Sequence, residues 1–145
     1  MNGEDIERAV RRRVRRFDGV FAADRLPNDP RVVRKLLVCN TDPSYRAGQH
    51  WVVIYVDDEG RYGEYFDSFG RPPSVTFRRY LDRHCMYWSY NDVQLQSVSS
   101  HFCGHYCVLY CLLRSRGISM SSIVCSFTRD TGFNDVLVHG FICVQ

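Results

Sequence analysis

The sequence predicts an α+β domain in which a small mixed β-sheet is flanked by helices. The first observation is the run Trp51–Val56, which is apolar throughout, as in a central strand buried on both faces. The second is Arg61–Phe66, which follows after a turn signal and is typical of the returning strand of a hairpin. The third is Cys103–Leu113, a largely apolar run of helical length that basic residues and a glycine close.

Length and composition indicate one globular domain, residues 1–145, with a single core, because the 145-residue chain is 45% hydrophobic. The formal net charge of +3 is too mild to identify a nucleic-acid partner by itself. No apolar run approaches the roughly 20 residues that a membrane span needs. The opening residues Met1–Asp5 lack the apolar core of a secretory signal.

The cysteines indicate free thiols in a reducing, intracellular compartment. Their number, 7, is odd, and several lie inside apolar segments. They are Cys39, Cys85, Cys103, Cys107, Cys111, Cys125 and Cys143.

A helix is predicted over residues 4–17, because apolar residues recur on one face at helical spacing. These residues are Ile6, Val10, Val14 and Phe17. The opposite face carries a strip of arginines: Arg8, Arg11, Arg12, Arg13, Arg15 and Arg16. The sequence therefore predicts a basic N-terminal helix, within residues 1–17, that packs on the rest of the domain.

The hairpin supplies the sharpest geometric prediction. A loop symmetric about Asp58 and Glu59 places His50 directly across from Asp67. Cross-strand neighbours have Cβ atoms about 4.5–5.5 Å apart, so a carboxylate there reaches an imidazole. A longer loop or a bulge would shift this register.

The remaining elements follow from caps and alternation. Turn residues fill Thr41–Gly48, and Pro27 and Pro30 bracket a loop. The other predictions are a strand Lys35–Asn40, a helix from Ser74 to Asp82, a half-buried strand Asp92–Gln96, a helix from Ser119 to Phe127, and a last helix that Asn134 caps and that ends near Phe141.

Cys103 is the candidate nucleophile, because it lies at the predicted start of a helix. Unpaired N–H groups and the helix dipole favour an anion there and lower a thiol pKa. His50 would take the thiol proton and later protonate the leaving amine, while Asp67 orients the imidazole. Each residue alone has an ordinary structural explanation, and their conjunction favours the catalytic interpretation.

Gln96 is the candidate oxyanion donor, together with the Cys103 backbone N–H. The alternation Asp92–Gln96 places Gln94 on the same face as Gln96, so Gln94 competes for this role. A zinc site is the alternative interpretation of this helix, since Cys103, Cys107 and Cys111 share a helix face, with His101 and His105 interleaved. Zinc needs four converging ligands and no Cys-x2-Cys pair occurs, so we predict no metal.

These residues resemble the adenovirus-type cysteine endopeptidases (adenain), which large DNA transposons and related viruses also encode. The resemblance rests on Gly48-Gln-His50-Trp51, on Tyr65-Phe-Asp67-Ser-Phe-Gly70 and on Gln96 upstream of Cys103-Gly104. It is supported by Phe17–Phe21, Leu26-Pro27, Asn40–Pro43, Arg116-Gly117 and Asn134-Asp135, and covers roughly residues 17–142.

The resemblance implies a papain-like fold with the nucleophile at the N-terminus of a central helix. It implies His50 as base, Asp67 as orienting carboxylate, Gln96 as oxyanion donor and Cys103 as nucleophile. The adenovirus enzymes have Glu where this chain has Asp67; the related SUMO and ubiquitin-like-modifier proteases use Asp. This chain is also shorter than the adenovirus enzymes.

The implied function is a thiol endopeptidase that cuts near glycine and matures viral or transposon capsid precursors, in the nucleus or virion if viral. One alternative is a deconjugating isopeptidase for a ubiquitin-like modifier. An alternative of another class is a non-catalytic DNA-binding domain built on the arginine helix.

The resemblance also suggests accessory features, although the chemistry itself requires no cofactor. Trp51 is a candidate wall of a narrow substrate channel, or else a core residue. DNA is a candidate activating polyanion, bound without sequence readout by Arg11, Arg12, Arg15 and Arg16. A peptide activator would link to Cys85 by a disulfide, but in a cysteine-rich chain coincidence explains this position better. We expect a monomer that acts on a protein substrate.

Overall fold

The computed structural model describes residues 1–29, 35–46 and 50–144. Within these ranges a mixed sheet is flanked by helices, so the predicted α+β class is confirmed. The strands are β1 (Gly19–Phe21), β2 (Leu36–Asn40), β3 (Trp51–Val56), β4 (Tyr62–Phe66) and β5 (Tyr87–Tyr90). The helices are α1 (Gly3–Arg11), α2 (Val75–His84), α3 (Cys103–Ser115), α4 (Met120–Cys125) and α5 (Thr131–Val144).

Parts of two predicted loops and of one motif fall outside the described residues. These are Pro30 of the proline-bracketed loop, the end of the turn Thr41–Gly48, and Gly48 and Gln49 before His50. Among the helices that the structure describes, none is long and apolar enough to cross a membrane.

The strands lie in the order β1-β2-β3-β4-β5, which makes β3 the central strand, as predicted. The two outer pairs are parallel and the two inner pairs are antiparallel. Along β3, Val53 and Tyr55 face one apolar cluster, while Val52 and Ile54 face another. A strand buried on both faces therefore separates two half-cores.

The two half-cores hold different helices. The first cluster packs residues of α1, α3, α4 and α5 against one face of the sheet. The second packs α2, through Phe77, Tyr80 and Leu81, against the other face. The start of α3 and the start of α2 consequently lie on opposite sides of the β3–β4 hairpin.

The hairpin register differs from the predicted one. Val53 pairs with Phe66, and the Asp57 N–H donates to the Tyr62 carbonyl at 2.9 Å. The partner of Asp57 is therefore Tyr62 rather than Gly60, because the loop is longer and turns through Gly60 at a φ of 67°. The exact pairing of His50 with Asp67 was wrong. The observed partner of Asp57 lies two residues beyond the predicted one, however. A register shift of an even number of residues keeps every side chain on the same face of the sheet.

Helix α1 ends at Arg11, well before the predicted Phe17. After α1 the chain turns towards the sheet. The Asp18 N–H donates to the Leu36 carbonyl at 2.9 Å, directly before the parallel pairing of β1 with β2. Val14 and Phe17 remain buried in the first cluster. The later arginines thus lie in a turn rather than on one helical face.

The segment Asp92–Gln96 is not a strand, contrary to the prediction. The N–H groups of Leu95 and Gln96 both donate to the Ser68 carbonyl, at 2.8 and 3.0 Å, so the segment wraps around the turn after β4. Gln94 is exposed and Gln96 is buried, which means that they do not share a face. The strand of this region is β5, which pairs with β4.

The C-terminal helices begin with caps, one of which was misassigned. Ser119 caps α4 as predicted, accepting from the Ser122 N–H at 3.2 Å. For α5, the Phe133 N–H donates to Asp130 Oδ1 at 3.0 Å. Asn134 is not the cap: it is buried inside the helix and donates to the Leu95 carbonyl at 3.1 Å.

A buried carboxylate ties α3 to the sheet. Glu64 on β4 is 2% exposed and accepts from the Tyr110 hydroxyl at 2.6 Å and from Arg114 Nε at 2.8 Å. The Arg114 guanidinium also lies 4.1 Å from the centre of the Tyr55 ring. Because both partners come from α3, this cluster sets how the helix lies across the hairpin.

We expect Arg114→Met to lower the free energy of unfolding by about 3 kcal/mol, because it leaves Glu64 buried without its cation. The matched control is Arg116→Met, which removes an exposed arginine at the end of the same helix. Urea denaturation of both variants measures the difference. Equal losses in the two variants would contradict a stabilising role for the buried pair.

Candidate active site

The hairpin brings His50 and Asp67 together. His50 directly precedes β3 and Asp67 directly follows β4, so both lie at the same end of the paired strands. The His50 Nε2–H donates to Asp67 Oδ1 at 2.7 Å. Their side chains are 12% and 4% exposed, so this charge-assisted hydrogen bond is formed largely away from water.

Two further contacts hold the pair in place. The Phe69 N–H donates to Asp67 Oδ1 at 2.8 Å. The Phe69 ring stacks on the His50 imidazole, with ring centres 4.8 Å apart. Phe69 thus covers one face of the imidazole, while Asp67 accepts a hydrogen bond at its Nε2.

Cys103 is the first residue of α3, and its thiol pKa is lowered. Burial opposes ionisation of this thiol, but hydrogen bonding with His50 and with the backbone N–H groups of Trp51 and Gly104 outweighs it. An anionic sulfur is therefore stabilised by the imidazole and by two amides, one of them at the helix start.

His50 has a pKa raised to about 9. Burial lowers this pKa, whereas the hydrogen bonds to Asp67 and Cys103 raise it by more. The His50 Nδ1 atom is buried and makes no hydrogen bond of standard geometry among the described residues, which leaves this nitrogen available to the Cys103 thiol. Both shifts act in the same direction and favour an imidazolium beside a thiolate.

The other buried cysteines show that this activation is local. Burial raises the pKa values of the Cys39, Cys107 and Cys111 thiols, and Cys107 and Cys111 lie on the same helix as Cys103. All the cysteines are free thiols. No cluster of metal-binding side chains occurs within residues 1–29, 35–46 and 50–144.

Asn91 is a site residue that the sequence did not reveal. It is 4% exposed, its Oδ1 accepts from the Asp67 N–H at 2.9 Å, and its Nδ2 donates to the Asp67 carbonyl at 2.6 Å. One amide side chain thereby clamps both backbone groups of the residue that orients His50. The two residues are 24 positions apart, beyond the reach of any periodic pattern.

Gln96 is fully buried next to the same turn. Its Oε1 accepts from the Ser68 hydroxyl at 2.6 Å, and its Nε2 donates to the carbonyl and the hydroxyl of Ser100, both at 3.0 Å. To donate to an oxyanion, the amide must release one contact with Ser100, so this role stays a prediction. Gln94 points elsewhere, donating to the Gln96 carbonyl at 2.9 Å.

Trp51 and Cys85 lie in packed surroundings. The Trp51 ring lies at the start of α1, where a Cβ added to Gly3 would be 3.3 Å from it, and its channel role stays a prediction. The Cys85 thiol packs over Gly63, and burial raises its pKa to about 11. Such a thiol is poorly suited to disulfide exchange, which agrees with coincidence as the explanation of its position.

The arginines proposed for DNA are only partly available. Arg11 forms an ion pair with Glu7, and Arg16 forms one with Asp58. Arg12 and Arg15 have no ion pair with any residue that the structure describes. DNA binding by this set stays a prediction.

Comparison with known proteins supports the fold. No protein-family model matches the chain, and no curated protein sequence matches it. A crystal structure of the selenomethionine ASFV pS273R protease is 26% identical, covering 72% of this chain and 43% of that one, with a TM-score of 0.53. A second crystal structure of that protease gives 20% identity, coverage of 92% and 63%, and a TM-score of 0.68.

The SUMO protease Ulp1, in a structure with its catalytic cysteine oxidised to a sulfonic acid, is 13% identical. The match covers 98% of this chain and 75% of Ulp1, with a TM-score of 0.52. The chain spans about half the length of the ASFV protease. Its fold is that of SUMO-protease-like cysteine proteases, and these comparisons do not single out the adenovirus-type family.

We expect Cys103 to be alkylated by iodoacetamide at neutral pH much faster than in His50→Ala, because the imidazolium stabilises the thiolate. In the variant the thiol pKa rises, so reactivity should recover only at higher pH. The rate is followed by mass spectrometry from pH 5 to 10, with the exposed Cys125 as internal reference. His101→Ala removes an exposed histidine near the helix start and should leave the profile unchanged. A profile equally insensitive to both substitutions would refute the ion pair.

Proposed function

We propose that this protein is a thiol peptidase with Cys103 as nucleophile, His50 as general base and acid, and Asp67 as the group that orients His50. The observation that carries the proposal is the 2.7 Å hydrogen bond from His50 to Asp67 beside a helix-start thiol with a lowered pKa. The fold shared with cysteine proteases supports the same reading of the site.

The mechanism follows from the charges already in place. The Cys103 thiolate attacks the substrate carbonyl carbon, and the carbonyl oxygen becomes an oxyanion. The Cys103 backbone N–H at the start of α3 and the Gln96 amide would donate to that oxygen. The His50 imidazolium gives its proton to the leaving amine as the C–N bond breaks, which leaves a thioester. His50 then takes a proton from water while the hydroxide adds to the thioester carbonyl carbon. The C–S bond breaks, which releases the acid product and restores the Cys103 thiolate beside the His50 imidazolium.

The proposal also concerns the class of substrate, for which there are two candidates. Likeness to the ASFV protease and the motif resemblance support an endopeptidase that cuts beside glycine in viral or transposon capsid precursors. Likeness of fold to Ulp1 supports the alternative, an isopeptidase that removes a ubiquitin-like modifier. Both reactions need the same nucleophile, base and narrow approach to glycine.

Cys103→Ser and His50→Ala should each abolish peptidase activity while the fold is retained, because each removes a reacting group. Asp67→Ala should keep measurable activity, since Asp67 orients without reacting. Gln96→Ala should reduce turnover on the order of 10²- to 10³-fold, as for removal of an oxyanion donor. Turnover of a fluorogenic glycine peptide and circular dichroism measure both properties. Gln94→Ala is the matched control. A larger loss of turnover in Gln94→Ala than in Gln96→Ala, or full activity in Cys103→Ser, would contradict the assignment.

A substrate panel should separate the two substrate classes. We expect peptides with glycine next to the cut, and a larger apolar residue upstream, to be cleaved faster than modifier–fluorophore conjugates. Preferred cleavage after bulky or charged residues would refute the glycine preference. Much faster release from a modifier conjugate would favour the deconjugase.

A further inference from the structure

A cavity of about 400 Å³ opens beside the His50–Asp67 pair, on the face of the sheet that carries α2. Its walls combine residues from the end of β2, β4, the loop after β4, and α2. Besides His50 and Asp67, the residues that matter here are Thr41, Tyr65, Phe69, Arg71, Ser74 and Phe77. Apart from Phe69, which supports the His50–Asp67 pair, none of these residues has a part in the mechanism described above.

Tyr65 directs an unused donor into this cavity. The residue is 2% exposed and its ring packs against Phe77, with centres 5.6 Å apart. Its hydroxyl has no hydrogen-bond partner among the described residues, and the residue forms part of the cavity wall. Burial, together with the nearby Asp67 charge, raises the pKa of Tyr65, which keeps this hydroxyl protonated. A donor held this way is available to an acceptor on a ligand.

Helix α2 begins at the same wall with an uncompensated positive end. Ser74 is its N-cap, but the Ser74 side chain makes no capping hydrogen bond, and the first turn contains no acidic residue. The first N–H groups of a helix and its dipole attract an anion. Here the Ser74 hydroxyl does not accept a hydrogen bond from these N–H groups, and the first turn has no carboxylate to compensate the dipole.

Arg71 adds a full positive charge. Its guanidinium lies 4.8 Å from the centre of the Phe69 ring and has no ion pair with any described residue. The same ring stacks on the His50 imidazole, so the guanidinium and the imidazole both contact Phe69. The one acid in the lining, Asp67, already accepts from His50 and from the Phe69 N–H.

We propose that this cavity binds a carboxylate of the substrate on the leaving-group side of the cut, an inference that rests on the proposed peptidase function. The unused groups are a cation, three hydroxyls including that of Thr41, and a helix N-terminus, a set that suits an anionic acceptor. The side follows from the chemistry: His50 protonates the leaving amine, so the residues after the cut lie next to the imidazole. The carboxylate is either an Asp or Glu side chain or the free C-terminus of a short leaving segment.

The test compares matched glycine peptides whose leaving segment carries Glu or Gln, each with a free or an amidated C-terminus. We expect kcat/KM to favour Glu over Gln by about tenfold, as for one charge-assisted hydrogen bond. Arg71→Gln and Tyr65→Phe should reduce this ratio towards one without slowing cleavage of the Gln peptide. Arg78→Gln, which removes an exposed charge from α2, is the control and should keep the ratio. Preference for the free C-terminus in place of Glu would identify the terminal carboxylate as the ligand.

An equal Glu-to-Gln ratio in the wild type and in Arg71→Gln would overturn the carboxylate site while leaving the peptidase intact. If no peptide is cleaved, the proposed function fails and binding decides about the cavity. Calorimetry with the Glu and Gln leaving peptides on Cys103→Ala then applies. Tighter binding of the Glu peptide that Arg71→Gln abolishes would support the site, and equal binding would refute it.

Discussion

The hydrogen bond from His50 to Asp67 is the interaction on which the site depends. Both groups lie almost entirely out of water, where an unpaired charge is costly and a paired one needs well-placed donors. Asp67 therefore accepts from the imidazole and from the Phe69 N–H, while Asn91 binds its backbone on both sides. The rigid end of β4 and the Asn91 amide together present one carboxylate oxygen to His50. That placement raises the imidazole pKa, and the imidazole in turn helps to lower the pKa of the Cys103 thiol.

The turn after β4 links both halves of the candidate site. Asp67 serves the imidazole, and the next residue, Ser68, donates its hydroxyl to Gln96 while its carbonyl accepts from Leu95 and Gln96. The orienting carboxylate and the predicted oxyanion donor are thus supported by adjacent residues. A shift of this turn would move both groups together. Cys103 belongs to α3, which Tyr110 and Arg114 anchor to Glu64 on β4.

Position decides the chemistry of otherwise identical thiols. Cys103, Cys107 and Cys111 lie on one helix, but only the first has the imidazole and the amides of Trp51 and Gly104 beside its sulfur. For the other two, burial without a donor raises the thiol pKa. In the cavity beside Asp67, unused donors outnumber unused acceptors, and the first turn of α2 contains no acidic residue.

What the sequence determined by itself is the set of elements and the residues that meet at their ends. Helix α3 begins at Cys103 and strand β3 occupies Trp51–Val56, because caps and hydrophobic periodicity act between near neighbours in the chain. His50 and Asp67 were placed on one face despite a wrong register, since strand parity survives an even shift. Tertiary structure alone decided the Asn91 clamp, the wrapping of Asp92–Gln96 around Ser68 and the cavity at the start of α2. The Asn91 clamp and the hydrogen bond between Ser68 and Gln96 join residues 24 and 28 positions apart, and the packing of both half-cores against the sheet is what brings such distant residues together.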